Sequence, residues 1–110
     1  MGSLTQYLQA QFAECCPRGW HCRAEVPLAN VAVVQRLGFE PRADVLLEHA
    51  DGSQRIWIEF EVSRADPVAN HAKFATARFL APVGGAESFV SMASRHIAPG
   101  RLALAAGTVL

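Results

Sequence analysis

The chain has no excess of either charge: ten basic and ten acidic residues give a formal net charge of zero at pH 7 over 110 residues. General basic attraction to nucleic acid is thereby excluded, so any contact with phosphate must be local. Lysine is also scarce, because nine of the ten basic residues are arginine and Lys73 is the only lysine. A chemistry that requires a lysine amine therefore has a single candidate.

Long hydrophobic runs, repeats and biased segments are absent as well. The apolar stretches are interrupted by Arg, Pro or Gly, and the N-terminus lacks the charged and apolar parts of a leader peptide. These absences predict a cytoplasmic protein without a membrane partner. Since 51% of the residues are hydrophobic, we expect one globular domain over residues 1–110. The apolar end, residues 101–110, lacks a polar stop, which indicates a truncated C-terminus or a surface that meets a partner.

Two common kinds of binding site are also poorly represented. Cys15, Cys16 and Cys22 are odd in number and lack the paired C-x-x-C spacing of a structural zinc site, so we interpret them as reduced thiols. No Gly-rich phosphate loop is present, since Gly84-Gly85 alone is too short for one. A nucleotide-binding α/β domain is therefore a weak alternative.

Hydrophobic periodicity and end signals predict the helices and strands. We expect a helix over residues 3–15 capped by Ser3, strands over 21–28 and 88–94, and a helix from Asp66-Pro67 to Leu80. Residues 30–37 fit either a strand or a short helix that ends at Gly38. The apolar stripe of the helix after Pro67 is predicted to consist of Val68, Ala72, Ala75 and Phe79.

A β-hairpin is predicted within residues 42–62, where two β-rich runs flank Asp51-Gly52. This dipeptide favours two-residue turns because both positions tolerate a positive φ. With Ala50 facing Ser53, the cross-strand pairs are Glu48 with Arg55, Leu46 with Trp57, and Asp44 with Glu59.

Alternation along the strands divides the hairpin into two faces. The first is a core face of Val45, Leu47, Ile56, Ile58, Phe60 and Val62. The second is a polar face of Asp44, Leu46, Glu48, Arg55, Trp57, Glu59 and Glu61. Clustered carboxylates repel one another, so one must hold a proton or a cation must lie between them. Oxygen ligands of this kind suit Mg²⁺ or Mn²⁺, although a solvated polar hairpin face remains an alternative.

These residues resemble the motif of the PD-(D/E)XK nuclease superfamily. Arg42-Ala43-Asp44 resembles the PD position, with Ala in place of Pro, and Glu59-Phe60-Glu61 resembles the (D/E)-x-K position. The resemblance covers about residues 3–94 and implies an α/β fold with a restriction-endonuclease-like αβββαβ core, a central mixed sheet flanked by helices. It also implies metal-dependent hydrolysis of DNA, with Asp44, Glu59 and Glu61 as metal ligands. Cutting both strands of a duplex would require a homodimer.

The sequence departs from the motif at Glu61, which replaces the lysine that in most family members helps to position or activate the attacking water. Two explanations are compatible with each other. Either Glu61 itself serves as a metal ligand or general base, or the lysine has migrated to Lys73 on the following helix. A third alternative is an inactive nuclease fold that is kept for binding nucleic acid or protein.

Four further residues are weaker candidates for the site. Glu25 could supply a fourth acidic group from the first strand, but an exposed strand carboxylate is the preferred interpretation. Ser63 and Arg64 follow the motif and could contact phosphate, and Asn70 shares the early part of the helix with Lys73.

Overall fold

The computed structural model describes residues 2–61, 67–80 and 83–93 of the chain. The elements are α1 (Ser3–Glu14), β1 (Trp20–Pro27), α2 (Val31–Leu37), β2 (Arg42–His49), β3 (Gln54–Glu61), α3 (Pro67–Leu80) and β4 (Ala86–Ala93). The strands form one sheet in the order β1-β2-β3-β4, in which β1, β2 and β3 are antiparallel and β4 runs parallel to β3. The predicted α/β class with a mixed sheet is confirmed.

Some predictions fall outside the described residues. They concern the contacts of Ser63 and Arg64, the helix cap at Asp66 and the apolar segment 101–110. Within the described part of the chain, no helix is long and apolar enough to cross a membrane.

The ends of the first two helices are set by different signals. Gly2, not Ser3, occupies the N-cap of α1, and no side chain hydrogen-bonds there, so the predicted serine cap is wrong. Residues 30–37, for which the sequence allowed a strand or a short helix, contain the helix α2. Asn30 caps it by accepting a hydrogen bond from the Val33 amide at 3.0 Å. Gly38 ends it with a left-handed φ of 80°.

Each face of the sheet is covered by one helix. On the α1 face, Val45, Ile58 and Phe60 form a buried cluster against which Leu8 and Phe12 of α1 pack. On the α3 face, a second buried cluster contains Leu46 and Trp57 together with Phe74 and Ala77 of α3. The predicted division between two faces is confirmed for the hairpin residues of these clusters, but both faces are core.

The predicted apolar stripe of α3 is wrong at Phe79, whereas Ala72 and Ala75 are half-buried and the side chain of Val68 lies outside the described part of the structure. Phe79 is 84% exposed, and the buried side of the helix carries His71, Phe74 and Ala77. The buried set lies one residue earlier in sequence, which corresponds to a rotation of about 100° around the helix. Phe74 determines this rotation because its ring stacks on Phe89 of β4, with the ring centroids 4.6 Å apart.

The hairpin has the predicted register but a different turn. Glu48 pairs with Arg55 and Leu46 with Trp57, as expected. The two-residue turn is wrong, because the Gly52 amide donates to the His49 carbonyl at 2.8 Å and residues 50–53 connect the strands. Gly52 has a positive φ but Asp51 does not, since its carboxylate accepts the Ser53 amide at 2.8 Å. The connection is longer than predicted by one residue on each side, so the pairing of the two strands is the same as predicted.

Strands β1 and β2 both change face near their junction with α2. Alternation would place Cys22 and Val26 on one face, yet Cys22 packs on the α1 face and Val26 lies in the cluster on the α3 face. Val45 and Ala43 divide between the two faces in the same way. We call this change of face the inversion.

The inversion occurs at Glu25 and Asp44. These two residues occupy opposed positions between the pairs Ala24–Val45 and Val26–Ala43, and they are skipped in the register. Glu25 has a φ of +53°, which is uncommon for a residue other than glycine. Asp44, the first carboxylate of the motif, is therefore the residue of β2 at which regular pairing with β1 is interrupted.

Candidate functional site

Asp44 is held by contacts from both sides of its strand. Its carbonyl accepts a hydrogen bond from Gln9 Nε2 of α1 at 3.0 Å. Its carboxylate Oδ2 accepts the Phe60 amide of β3 at 2.8 Å, in place of a backbone ladder bond. The ladder between β2 and β3 accordingly ends at the pair Val45–Ile58, and the predicted backbone pair Asp44–Glu59 is not part of it. The side chain of Asp44 is instead fixed beside the end of β3.

Glu59 and Lys73 form an ion pair next to Asp44. Lys73 Nζ of α3 lies 2.9 Å from Glu59 Oε1 and donates a second bond to the Arg42 carbonyl at 2.8 Å. The carboxyl groups of Asp44 and Glu59 are close enough to hydrogen-bond with each other. Three elements, β2, β3 and α3, therefore bring Asp44, Glu59 and Lys73 together.

Burial dominates the ionisation of Glu59. Glu59 is only 4% exposed, and the loss of hydration on burial raises the pKa of Glu59 to about 8. The ammonium group of Lys73 lowers this pKa by a smaller amount, and the Asp44 carboxylate raises it. The pKa of Glu59 therefore lies well above its usual value even beside the ammonium group of Lys73.

Glu61 is fully buried two residues beyond Glu59. Over residues 2–61, 67–80 and 83–93, however, no three His, Cys, Asp or Glu side chains are placed to hold one metal ion. The structure therefore brings Asp44 and Glu59 together without adding Glu61 to them. Two carboxylates still suit Mg²⁺, which takes one or two of them and completes its octahedron with water and substrate phosphate oxygens.

The lysine of the ion pair borders an open groove between α2 and α3. Lys73 lines this groove of about 380 Å³, together with Leu37, Phe39 and Thr76. Phe39 is 54% exposed at its edge.

The weaker candidates have different outcomes. Glu25 lies at the register position opposite Asp44, on the strained side of the inversion. Asn70 belongs to α3, but its side chain is outside the described part of the structure, as are Ser63 and Arg64. Of the four, only Glu25 has a described position near the carboxylate pair.

Sequence reasoning missed a second polar group on the α3 face. Arg78 Nε donates to Glu87 Oε1 at 2.6 Å, and Trp57 Nε1 donates to the other oxygen of that carboxylate at 2.7 Å. The Arg78 guanidinium also lies 5.2 Å from the centroid of the Trp57 ring. No spacing pattern links these residues, which come from three elements, although a buried tryptophan does require a partner for its N–H group.

A third charged group lies near the hairpin turn. Arg55 Nε donates to Glu48 Oε2 at 2.8 Å, and Arg23 Nη2 lies 3.8 Å from Glu48 Oε1. The hydrogen bond from Arg55 holds the pKa of Glu48 below its usual value. This is the ion pair that the hairpin register predicts.

Comparisons of the chain with protein-family models, with curated proteins and with solved structures find no match. The interpretation of the site accordingly depends on its own geometry.

Proposed function

We propose that this chain is a metal-dependent endonuclease-like domain that hydrolyses DNA phosphodiester bonds. The observation that carries the proposal is the convergence of Asp44, Glu59 and Lys73 from β2, β3 and α3. Two neighbouring carboxylates with one lysine are the group types that the (D/E)-x-K motif supplies. Here the lysine comes from the helix, because Glu61 occupies the position of the motif lysine.

Asp44 and Glu59 would hold Mg²⁺ or Mn²⁺. Asp44 Oδ2 accepts the Phe60 amide and Glu59 Oε1 accepts from Lys73, so both carboxyl groups are held in place beside each other. Such an ion would lower the pKa of a water nucleophile and stabilise the charge that develops on phosphate. Glu61 stays a proposed third ligand or general base.

Lys73 supports this assignment through its charge and its position. Its ammonium group lies beside Glu59, and its side chain is 19% exposed and lines the groove between α2 and α3. It can donate hydrogen bonds to a phosphate oxygen or orient a water molecule while it remains fixed by the Arg42 carbonyl. This is the positioning role that the resemblance assigns to the motif lysine.

The arrangement of the elements also supports a restriction-endonuclease-like core. Leaving α2 aside, the order α1, β1, β2, β3, α3, β4 is the αβββαβ order that the resemblance implies, with a mixed sheet between α1 and α3. The carboxylates lie on β2 and β3 of the hairpin, as the motif requires. An additional short helix, α2, separates β1 from β2.

Plasmid nicking in the presence of Mn²⁺ tests the proposal. We expect Asp44→Asn and Glu59→Gln to lower nicking by on the order of 100-fold or more, because each removes a carboxylate charge without removing volume. Glu14→Gln is the matched control, since it makes the same change at an exposed carboxylate of α1, outside the site. Nicking that EDTA abolishes and that the control retains is the expected pattern.

Calorimetry with Mn²⁺ separates the enzyme from an inactive nuclease fold. Metal binding that is lost in Asp44→Asn and Glu59→Gln supports the site even before turnover is measured. Unchanged binding in both variants rejects the metal site. DNA binding without metal binding or nicking would instead favour the non-enzymatic module. A homodimer is proposed for duplex cleavage, and sedimentation with duplex DNA tests it.

A further inference from the structure

A second open groove lies on the α3 face, toward the hairpin turn. It has a volume of about 440 Å³, and its lining includes Arg23, Arg55 and Arg78 with one carboxylate, that of Glu48. We call it the arginine groove. In a chain with no net charge, three of nine arginines meet at this one concave surface. Such a local concentration of charge is what phosphate binding requires here.

The floor of the arginine groove is fixed and locally neutral. Arg78 donates to Glu87 and, through Nη1, to the Leu28 carbonyl at 2.5 Å. Trp57 is 4% exposed and shares the Glu87 carboxylate. Because each of these side chains has several partners, the floor can support a ligand without rearrangement.

The rim of the groove carries the uncompensated charge. Arg23 and Arg55 share the single carboxylate of Glu48, which leaves one net positive charge. Their side chains are 58% and 35% exposed, so both guanidinium groups reach solvent. A guanidinium group has five N–H donors, and Arg55 gives its Nε–H to Glu48. Guanidinium groups with remaining donors are suited to phosphate oxygens.

We infer that the arginine groove binds the phosphates of a nucleic-acid strand whose reactive bond lies at Asp44 and Glu59. This inference rests on the proposed function. Arg55, Trp57 and Glu59 alternate on one face of β3, so Arg55 and Glu59 are about 13 Å apart along the strand, at about 3.3 Å per residue. That distance corresponds to about four base steps of a duplex, at about 3.4 Å each. Arg23 and Arg55 thus contact the substrate away from the bond that is broken.

Anisotropy of a short fluorescent DNA duplex tests the groove, with EDTA present so that no cleavage occurs. We expect Arg23→Ala/Arg55→Ala to weaken binding about tenfold or more and to reduce the slope of log affinity against log salt by about two. The matched control is Arg18→Ala/Arg36→Ala, which removes two arginines that are exposed elsewhere on the surface. Circular dichroism establishes that both double variants are folded.

The outcomes distinguish this inference from the proposed function. Equal affinity and equal salt slope in the two double variants overturn the groove, even if the wild-type protein nicks plasmid. Binding of inorganic phosphate as tight as that of the duplex also overturns it, because the groove would then hold a small anion. Conversely, the protein could bind DNA through the arginine groove without ever nicking plasmid. That result would reject the proposed nuclease activity but support DNA binding by the groove.

Discussion

The two ends of the β2–β3 hairpin carry the same pair of groups in opposite surroundings. Near the turn, Glu48 meets Arg55 at the surface, and the hydrogen bond lowers the pKa of Glu48. At the far end, Glu59 meets Lys73 in the interior, and desolvation raises the pKa of Glu59 to about 8 despite the ion pair. For Glu59 the effect of burial on the pKa outweighs that of its cationic partner, whereas for the less buried Glu48 the hydrogen bond from Arg55 has the larger effect.

The backbone differs between the two ends as well. Near the turn the ladder is regular, with Glu48 opposite Arg55. At the far end the inversion at Glu25 and Asp44 interrupts it, and the Asp44 side chain replaces a ladder bond. The regular end can be derived from alternation alone, whereas the interrupted end is where the Asp44 and Glu59 carboxyl groups meet.

The largest expected effect is the pH dependence of stability. The pKa of Glu59 is about 8 in the folded protein and about 4.5 in the unfolded chain, so between these values only the folded state keeps the proton. The stabilisation of the fold by this retained proton is complete below pH 4.5 and is lost as the pH rises to about 8. At about 1.4 kcal/mol per pKa unit, the loss is several kcal/mol.

Urea denaturation across pH 4.5 to 8.5 measures this effect. Glu59→Gln is expected to remove most of the slope, because the amide cannot ionise. Glu48→Gln serves as the comparison and should keep it, since the lowered pKa of Glu48 affects stability only at acidic pH. The same slope in Glu59→Gln and the wild-type protein would contradict the burial argument.

The next effect is the loss of the interior cation. Lys73→Met should destabilise the fold by about 2 kcal/mol at pH 9, because Glu59 loses its partner and the Arg42 carbonyl loses a donor. At pH 6 the loss should be smaller, since Glu59 is then protonated in both proteins. Urea denaturation at both pH values checks this, and a pH-independent loss would show that the ion pair does not matter.

A smaller effect of opposite sign is expected at the inversion. Glu25→Gly should stabilise the fold by about 0.5 to 1 kcal/mol, because glycine adopts a φ of +53° without steric cost. The matched control is Ala24→Gly, at the neighbouring strand position without a positive φ, which should destabilise. Thermal unfolding compares the two, and a lower melting temperature for Glu25→Gly would refute strain at this position.

The smallest effect is expected at the turn end. Arg55→Met should cost less than about 1 kcal/mol, because the ion pair with Glu48 lies at the surface and salt screens it. In high salt, the difference in stability between Arg55→Met and the wild-type protein should become smaller still, because the ion pair is already screened. A loss as large as that of Lys73→Met would mean that the two ends of the hairpin are energetically equivalent, and the comparison above would fail.

Much of the fold follows from the sequence because its signals are local. The α/β class, the hairpin register and the extent of the helix that ends at Leu80 were predictable from alternation and end signals. The orientation of that helix was not predictable, because the contact between Phe74 and Phe89 joins elements that are distant in sequence. The apolar periodicity of α3 therefore pointed to Phe79, which is exposed.

The candidate site was predictable in composition but only partly in geometry. A motif of three acidic residues and one lysine identified Asp44, Glu59 and Lys73, and the structure brings these three together. The inversion could not be foreseen, because a positive φ at a glutamate has no sequence signature. Whether Glu61 acts with them stays a prediction.

The parallel pairing of β3 with β4 bears on the order of folding. Hairpin pairing between β2 and β3 is local and fast, whereas a parallel strand must wait for its crossover segment, which here contains α3. Lys73 therefore reaches Glu59 only when α3 docks on the sheet. During synthesis, both carboxylates leave the ribosome before the lysine does, so the nascent hairpin first exists without the cation that partners Glu59.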